Sequence, residues 1–258
     1  MKNIFDISKI NITKKHIIFL ILFAVLVFVG RRINFSHVIG ADNQFFTLFQ
    51  FFGPIAGSFL GPVFGAASVF IAHGTDYIIT SKAFTLINII RLTPMIFAAY
   101  YFGVKIKTGK NIFSNFTSYA CRGISIFIPL AAMIAFIAHP VGRQVWFFSL
   151  FWLIPIVVRL LPAKYSNNLI LKSFGATFVA HSVGTAAWIW TIPMSAEAWI
   201  ALIPIVVFER SLFAFGIIGS YVGMNAVLHK VKDWFSVPED VLHIDKSYLV
   251  SRLFKAKA

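Results

Sequence analysis

Between residues 16 and 228 the chain alternates long apolar runs with short polar breaks. A helix needs about 17–25 predominantly apolar residues to cross a bilayer. Runs near that length fall at residues 16–30, 45–60, 61–80, 83–103, 116–139, 145–161, 169–190 and 198–228. The second and third are parted only by Gly61-Pro62. One helix over both would be ~54 Å long, far beyond a ~30 Å hydrocarbon core, so a break there is required. The pattern predicts an all-α integral membrane protein of about eight transmembrane helices, six to eight at the limits.

Composition points the same way. The chain is 59% hydrophobic and 12% charged, with mean hydropathy +0.82, whereas a soluble domain carries about a quarter charged residues. Lys and Arg outnumber Asp and Glu 23 to 9. Dispersed around apolar runs, that excess reads as positive-inside loop charge and contact with lipid headgroups, and not as a nucleic-acid patch. With Lys14 and Lys15 inside, an even number of crossings also puts Lys105, Lys107 and Lys110, then Lys164 and Lys172, then Lys230 and Lys232 inside. Arg31-Arg32 is the exception. The amino-terminal run resembles a signal peptide, but Arg31-Arg32 stands where a small-residue cleavage site belongs, so it is expected to remain as the first helix. The expectation is a cell-membrane protein with both termini cytoplasmic: residues 1–15 inside, a membrane domain over 16–230, and a basic tail over 231–258. In that tail, Ser236-Val237-Pro238-Glu239 has a capping-box pattern, predicting a short interfacial helix with Leu242, Leu249 and Leu253. The lone Cys121 excludes an intrachain disulfide and a cysteine-rich metal site.

Candidate chemistry lies in the ionisable residues inside the apolar runs: His73, Asp76, Arg91, His181, Glu209 and Arg210. A charge in hydrocarbon costs at least ~2.5–3.5 kcal/mol, so such residues face a bundle interior or a wet cavity. Measured along the runs at ~1.5 Å per residue, His73 and His181 lie at matching depth, with Arg91 and Glu209 close to it. These six are the candidate substrate-binding residues. The histidines would hydrogen-bond a solute, and the arginines would pair with its anionic groups. Asp76 and Glu209 would orient the arginines or carry protons. Glu209 and Arg210 point about 100° apart on a helix, so at least one is expected to need a partner on another helix, Arg91 or His181 for Glu209 and Asp76 for Arg210. Arg122, Arg143 and Arg159 lie near run ends and are expected to snorkel. An alternative use of His73, Asp76, His181 and Glu209 is a metal site in a membrane enzyme. No nucleophile motif, metalloprotease motif or ATP-binding loop occurs, so no catalytic residue, metal or cofactor is assigned. A third reading is an accessory subunit of a membrane complex.

Two stretches echo each other. Phe45-Phe46-Thr47-Leu48-Phe49, Phe64-Gly65-Ala66, Ala72-His73 and Arg91 answer to Phe147-Phe148-Ser149-Leu150-Phe151, Phe174-Gly175-Ala176, Ala180-His181 and Arg210. The echo predicts parallel three-helix repeats over 45–103 and 145–228, joined by a linker helix. Gly53, Gly57, Gly61 and Gly65 recur every fourth residue, a spacing that lets helix backbones approach closely.

The segment from Phe51 to Gly61, with its Gly-Pro-x-x-Gly-x-x-x-Gly pattern followed by Gly65 and Asp76, resembles substrate-binding S components of energy-coupling-factor (ECF) vitamin transporters. The resemblance covers residues 45 to 103. It implies a small helical bundle that captures a vitamin or similar solute from outside and works with a separate membrane scaffold and an ATPase pair. Those proteins typically have six spans and carry paired small residues on the first helix, where this chain offers only Ala24 and Gly30.

Overall fold

The computed structural model describes residues 13–37, 45–81, 83–106 and 112–249. The chain is mostly helical. Helix α1 (Lys14–Gly30) leads into a short antiparallel hairpin, β1 (Asn34–His37) with β2 (Phe45–Thr47). There follow α2 (Phe49–Leu60), α3 (Pro62–Ile79), α4 (Leu86–Ile90), α5 (Thr93–Gly103) and α6 (Ile112–Ala138). The second half holds α7 (Pro140–Gln144), a 3₁₀ segment (Trp146–Trp152), α8 (Leu153–Leu160), α9 (Ala163–Ser166), α10 (Leu169–Ile189) and α11 (Ala196–Trp234).

Local chemistry sets the boundaries. Gly61 sits at φ 83°, a conformation glycine adopts without strain, and Pro62 then opens α3. Pro94 likewise opens α5 after a turn at Arg91-Leu92. The Asn168 side chain accepts from the amides of Ile170 and Leu171 at the start of α10, and Ser195 caps α11.

The glycine series works by close packing. A Cβ on Gly57 would lie 1.8 Å from the Ala99 carbonyl oxygen of α5, and one on Gly65 would lie 2.3 Å from Gly57 Cα. Helices α2, α3 and α5 thus meet backbone to backbone. Helix α10 packs on α5, α6, α8 and α11, while α11 also reaches α2. The main core joins Phe23, Phe59, Phe102, Ile217 and Leu242. A second core of Phe136, Phe148, Trp152 and Trp199 lies under α6 and α11. In residues 45–103, α2, α3 and α5 all touch one another, and in residues 145–228, α10 touches both α8 and α11.

The chain shuttles between two ends of this bundle. At one, the terminal end, His16 touches Phe64, Lys15 donates to the carbonyls of Phe235 and Ser236, and Ile106 pairs with Asn167. At the other, the hairpin end, Arg31 and Arg32 meet Asp76, and Trp190 donates to the Ala135 carbonyl.

Among the described residues two helices, Ser118–Ala138 and α11, are long and apolar enough to cross a membrane. Residues 45–47 are taken by the hairpin and the turn at Arg91 splits residues 83–103, which leaves α2 with 12 residues and α5 with 11. Two expectations are corrected. The tail forms no interfacial helix over its described residues. It folds back as a strap in which Val237, Val241 and Leu242 are buried in the core, because these apolar positions have a bundle end to cover. Leu253 lies outside the described residues. Finally, Lys172 and Arg159, expected in a loop and at an interface, are buried inside the bundle.

Candidate functional site

The six candidate residues separate into distinct environments. His73 and Asp76 lie on one face of α3 at the hairpin end. There Asp76 accepts from Arg31 Nη2 at 2.8 Å and from Arg32 Nη2 at 3.1 Å, while Arg31 Nη1 lies 2.8 Å from His73 Nδ1. Burial pulls the Arg31 pKa down and the Asp76 carboxylate opposes that pull. The partner expected for Asp76, Arg210, is elsewhere. The pair Arg31-Arg32, an exception as loop charge, is thereby explained: it neutralises an acidic side chain on a neighbouring helix.

Arg91 is exposed in the turn between α4 and α5. The helix break before Pro94 lifts it out of the layer that a continuous helix would have given. His181 is buried in an aromatic box, where Trp152 Nε1 donates to its Nδ1 at 3.1 Å and the rings of Phe148 and Phe178 lie 5.8 and 5.9 Å away. The Trp199 indole N–H is also buried there, and no hydrogen-bond partner for it is found among the described residues.

Glu209 and Arg210 pair with each other at 3.0 Å, against the expectation that neighbours on a helix could not. An arginine has enough rotatable bonds to bring its guanidinium back across the 100° between adjacent Cα positions. Its planar head is also placed between two rings, 4.8 Å from the Phe46 centroid and 4.6 Å from that of Phe213.

Arg210 lines a cavity in the bundle interior. Its walls are Gln50 and Pro54 of α2, Met95 of α5, Ala176, Thr177 and Ala180 of α10, and Phe213 and Ile217 of α11. The space holds about one water molecule. Arg210 Nε and Thr177 Oγ1 are buried there without hydrogen-bond partners among the described residues. With the Gln50 amide, they place several donors around a small space between apolar walls, an arrangement suited to an anionic or carbonyl oxygen.

Two further buried cations were not among the six candidate site residues. Arg159 is fully buried; it donates to the Tyr101 carbonyl and lies 3.9 Å above that residue's ring. Lys172 donates to Ser58 Oγ at 3.4 Å and lies 4.3 Å from the Phe102 ring centroid. Among the described residues neither forms an ion pair with a carboxylate. Lys172 stands inside the apolar run of residues 169–190, and that placement was the available signal. Among the described residues no three His, Cys, Asp or Glu side chains come together as a metal-binding set. His73 and Asp76 are joined to the arginines that follow α1, and His181 lies in its own aromatic box.

Comparison with protein-family models, with curated proteins and with solved structures finds no match for this chain.

Proposed function

We propose that this chain is a multi-pass membrane protein that binds a small polar or anionic solute inside its helix bundle, as a transporter or as the substrate-binding subunit of one. The observation that carries this reading is the interior cavity at Arg210, where donors on Arg210 and Thr177 have no hydrogen-bond partner among the described residues. A buried guanidinium N–H left unmatched is costly, and an anionic ligand offsets that cost. The membrane reading draws on the apolar windows of Ser118–Ala138 and α11, only 28% buried, so that most of their side chains face outward. It also draws on Lys14, Lys15, Lys230 and Lys232, which belong to helix segments that start or finish at the terminal end. With that end cytoplasmic and about eight crossings, the positive-inside rule is met. The chain has no ATP-binding loop. The resemblance to ECF S components therefore implies partnership with a membrane scaffold and an ATPase pair, with a vitamin-like solute.

Ligand-induced thermal stabilisation of purified protein across a vitamin and carboxylate panel tests the reading. At least one anionic compound is expected to raise the melting temperature, and Arg210→Met is expected to weaken its binding about tenfold or more, as loss of a charged hydrogen bond does. A panel without a hit, or a hit indifferent to Arg210→Met, overturns it. The pairing of Asp76 with Arg31 and Arg32 favours one second reading, an accessory subunit whose polar residues serve packing.

A further inference from the structure

We propose that Lys172 is a second anion-binding station between the Arg210 cavity and the terminal end, and that the strap formed by residues 237–248 is the plug that closes it. This rests on the solute-binding reading of the Arg210 cavity. On each of the four helices around that cavity, the face that lines it continues to a residue enclosing Lys172. Helix α2 runs from Pro54 to Ser58, α10 from Ala176 to Lys172 and α11 from Ile217 to Tyr221, each one helical turn, while α5 runs from Met95 to Phe102 in two. Both places therefore face the same four-helix interior.

Lys172 is held there by a hydroxyl and aromatic faces. Its Nζ is 3.4 Å from Ser58 Oγ, 4.3 Å from the Phe102 centroid and 6.0 Å from that of Tyr221, and its side chain is buried. An aliphatic side chain would fill the same space without desolvating an ammonium. Among the described residues no carboxylate forms an ion pair with Lys172, and the strap that crosses this end carries an acidic residue, Asp245. An anion arriving from the Arg210 cavity would meet a cation without a paired carboxylate.

The strap is fastened across this position. His243 N donates to the Phe59 carbonyl at 2.8 Å, next to Ser58. Asn225 and Asp245 exchange two hydrogen bonds, 2.8 and 3.0 Å, and the Tyr248 ring rests 5.8 Å from that of Tyr221. Lifting it would open the terminal end onto Tyr221 and Lys172.

The test uses the full chain with Cys121→Ser and a single new cysteine, Ser58→Cys or Gln50→Cys, reacted with methanethiosulfonate reagents of equal size carrying a sulfonate or an ammonium. Ser58→Cys is expected to react about tenfold faster once the strap is loosened by Asn225→Ala, with the sulfonate reagent preferred about tenfold, and Lys172→Met is expected to abolish that preference. Tryptophan-monitored melting confirms that each variant is folded, and Leu242→Ala serves as a second strap variant. Strap-independent reactivity of Ser58→Cys in both variants overturns the plug. A sulfonate preference unchanged by Lys172→Met overturns the station. Gln50→Cys separates the two ideas: if it keeps an Arg210-dependent sulfonate preference while Ser58→Cys has none due to Lys172, the station fails and the solute site stands. If Gln50→Cys shows none, the solute site fails.

Discussion

Replacing Gly57 with alanine adds one methyl group at the point where three helices meet. That Cβ would lie 1.8 Å from the Ala99 carbonyl oxygen, 2.8 Å from the Ala99 carbonyl carbon and 3.0 Å from Gly103 N, all backbone atoms, where ordinary contact begins at 3.4 Å. No rotamer change relieves it, so α2 and α5 must separate and take Gly65 and Gly103 with them. Overpacking of this kind costs about 3 kcal/mol, the upper part of its usual range. At about 2–4 °C per kcal/mol for a chain of this size, the melting temperature falls by roughly 6–12 °C. Gly74→Ala is the internal control, because a Cβ there meets nothing within 4 Å and the residue is helical. It should stabilise by about 0.5–1 kcal/mol through helix propensity alone. Tryptophan fluorescence during thermal unfolding of detergent-purified protein reads both variants. A Gly57→Ala melting temperature within about 2 °C of the parent, well inside that scale, refutes backbone contact at this junction.

Asp76→Ala leaves Arg31 and Arg32 without their carboxylate and should cost about 3 kcal/mol. In a double-mutant cycle with Arg31→Ala the coupling should be about 1–3 kcal/mol; additive losses would remove the ion pair from the account. Leu242→Ala should cost about 2–5 kcal/mol as a core truncation, whereas a solvated interfacial tail predicts a change within about 0.5 kcal/mol; chemical denaturation decides between them.

The parts of this fold legible in the sequence are those set by a single helix and its neighbours along the chain. The break at Gly61-Pro62, the close approach signalled by glycines at every fourth position, and the helical character of the apolar runs all follow from local chemistry. The site was less legible because its partnerships run between helices. Depth along a run put His73 and His181 in one layer, but depth carries no information about azimuth, and one joined α1 while the other entered an aromatic box. Arg91 was placed by assuming a continuous helix, and a turn intervened. Glu209 and Arg210 were kept apart by a Cα argument that a long side chain escapes. Gln50 and Thr177, both uncharged, gave no signal, and their role emerges only from the cavity they share with Arg210. The tail was misread because Leu242, Leu249 and Leu253 were judged by amphipathic spacing, while what buries Leu242, with Val237 and Val241, is the bundle end they cover.

The strap also bears on how the protein is made. Ribosomes deliver the chain from its amino end, so α1 and α2 take their places long before residues 235–243 exist. The Phe59 carbonyl and Lys15 are then held without the partners they have in the finished structure. Biogenesis therefore closes the terminal end last. A polypeptide broken off after α11 keeps α1 to α11 yet leaves the first and second without these latches.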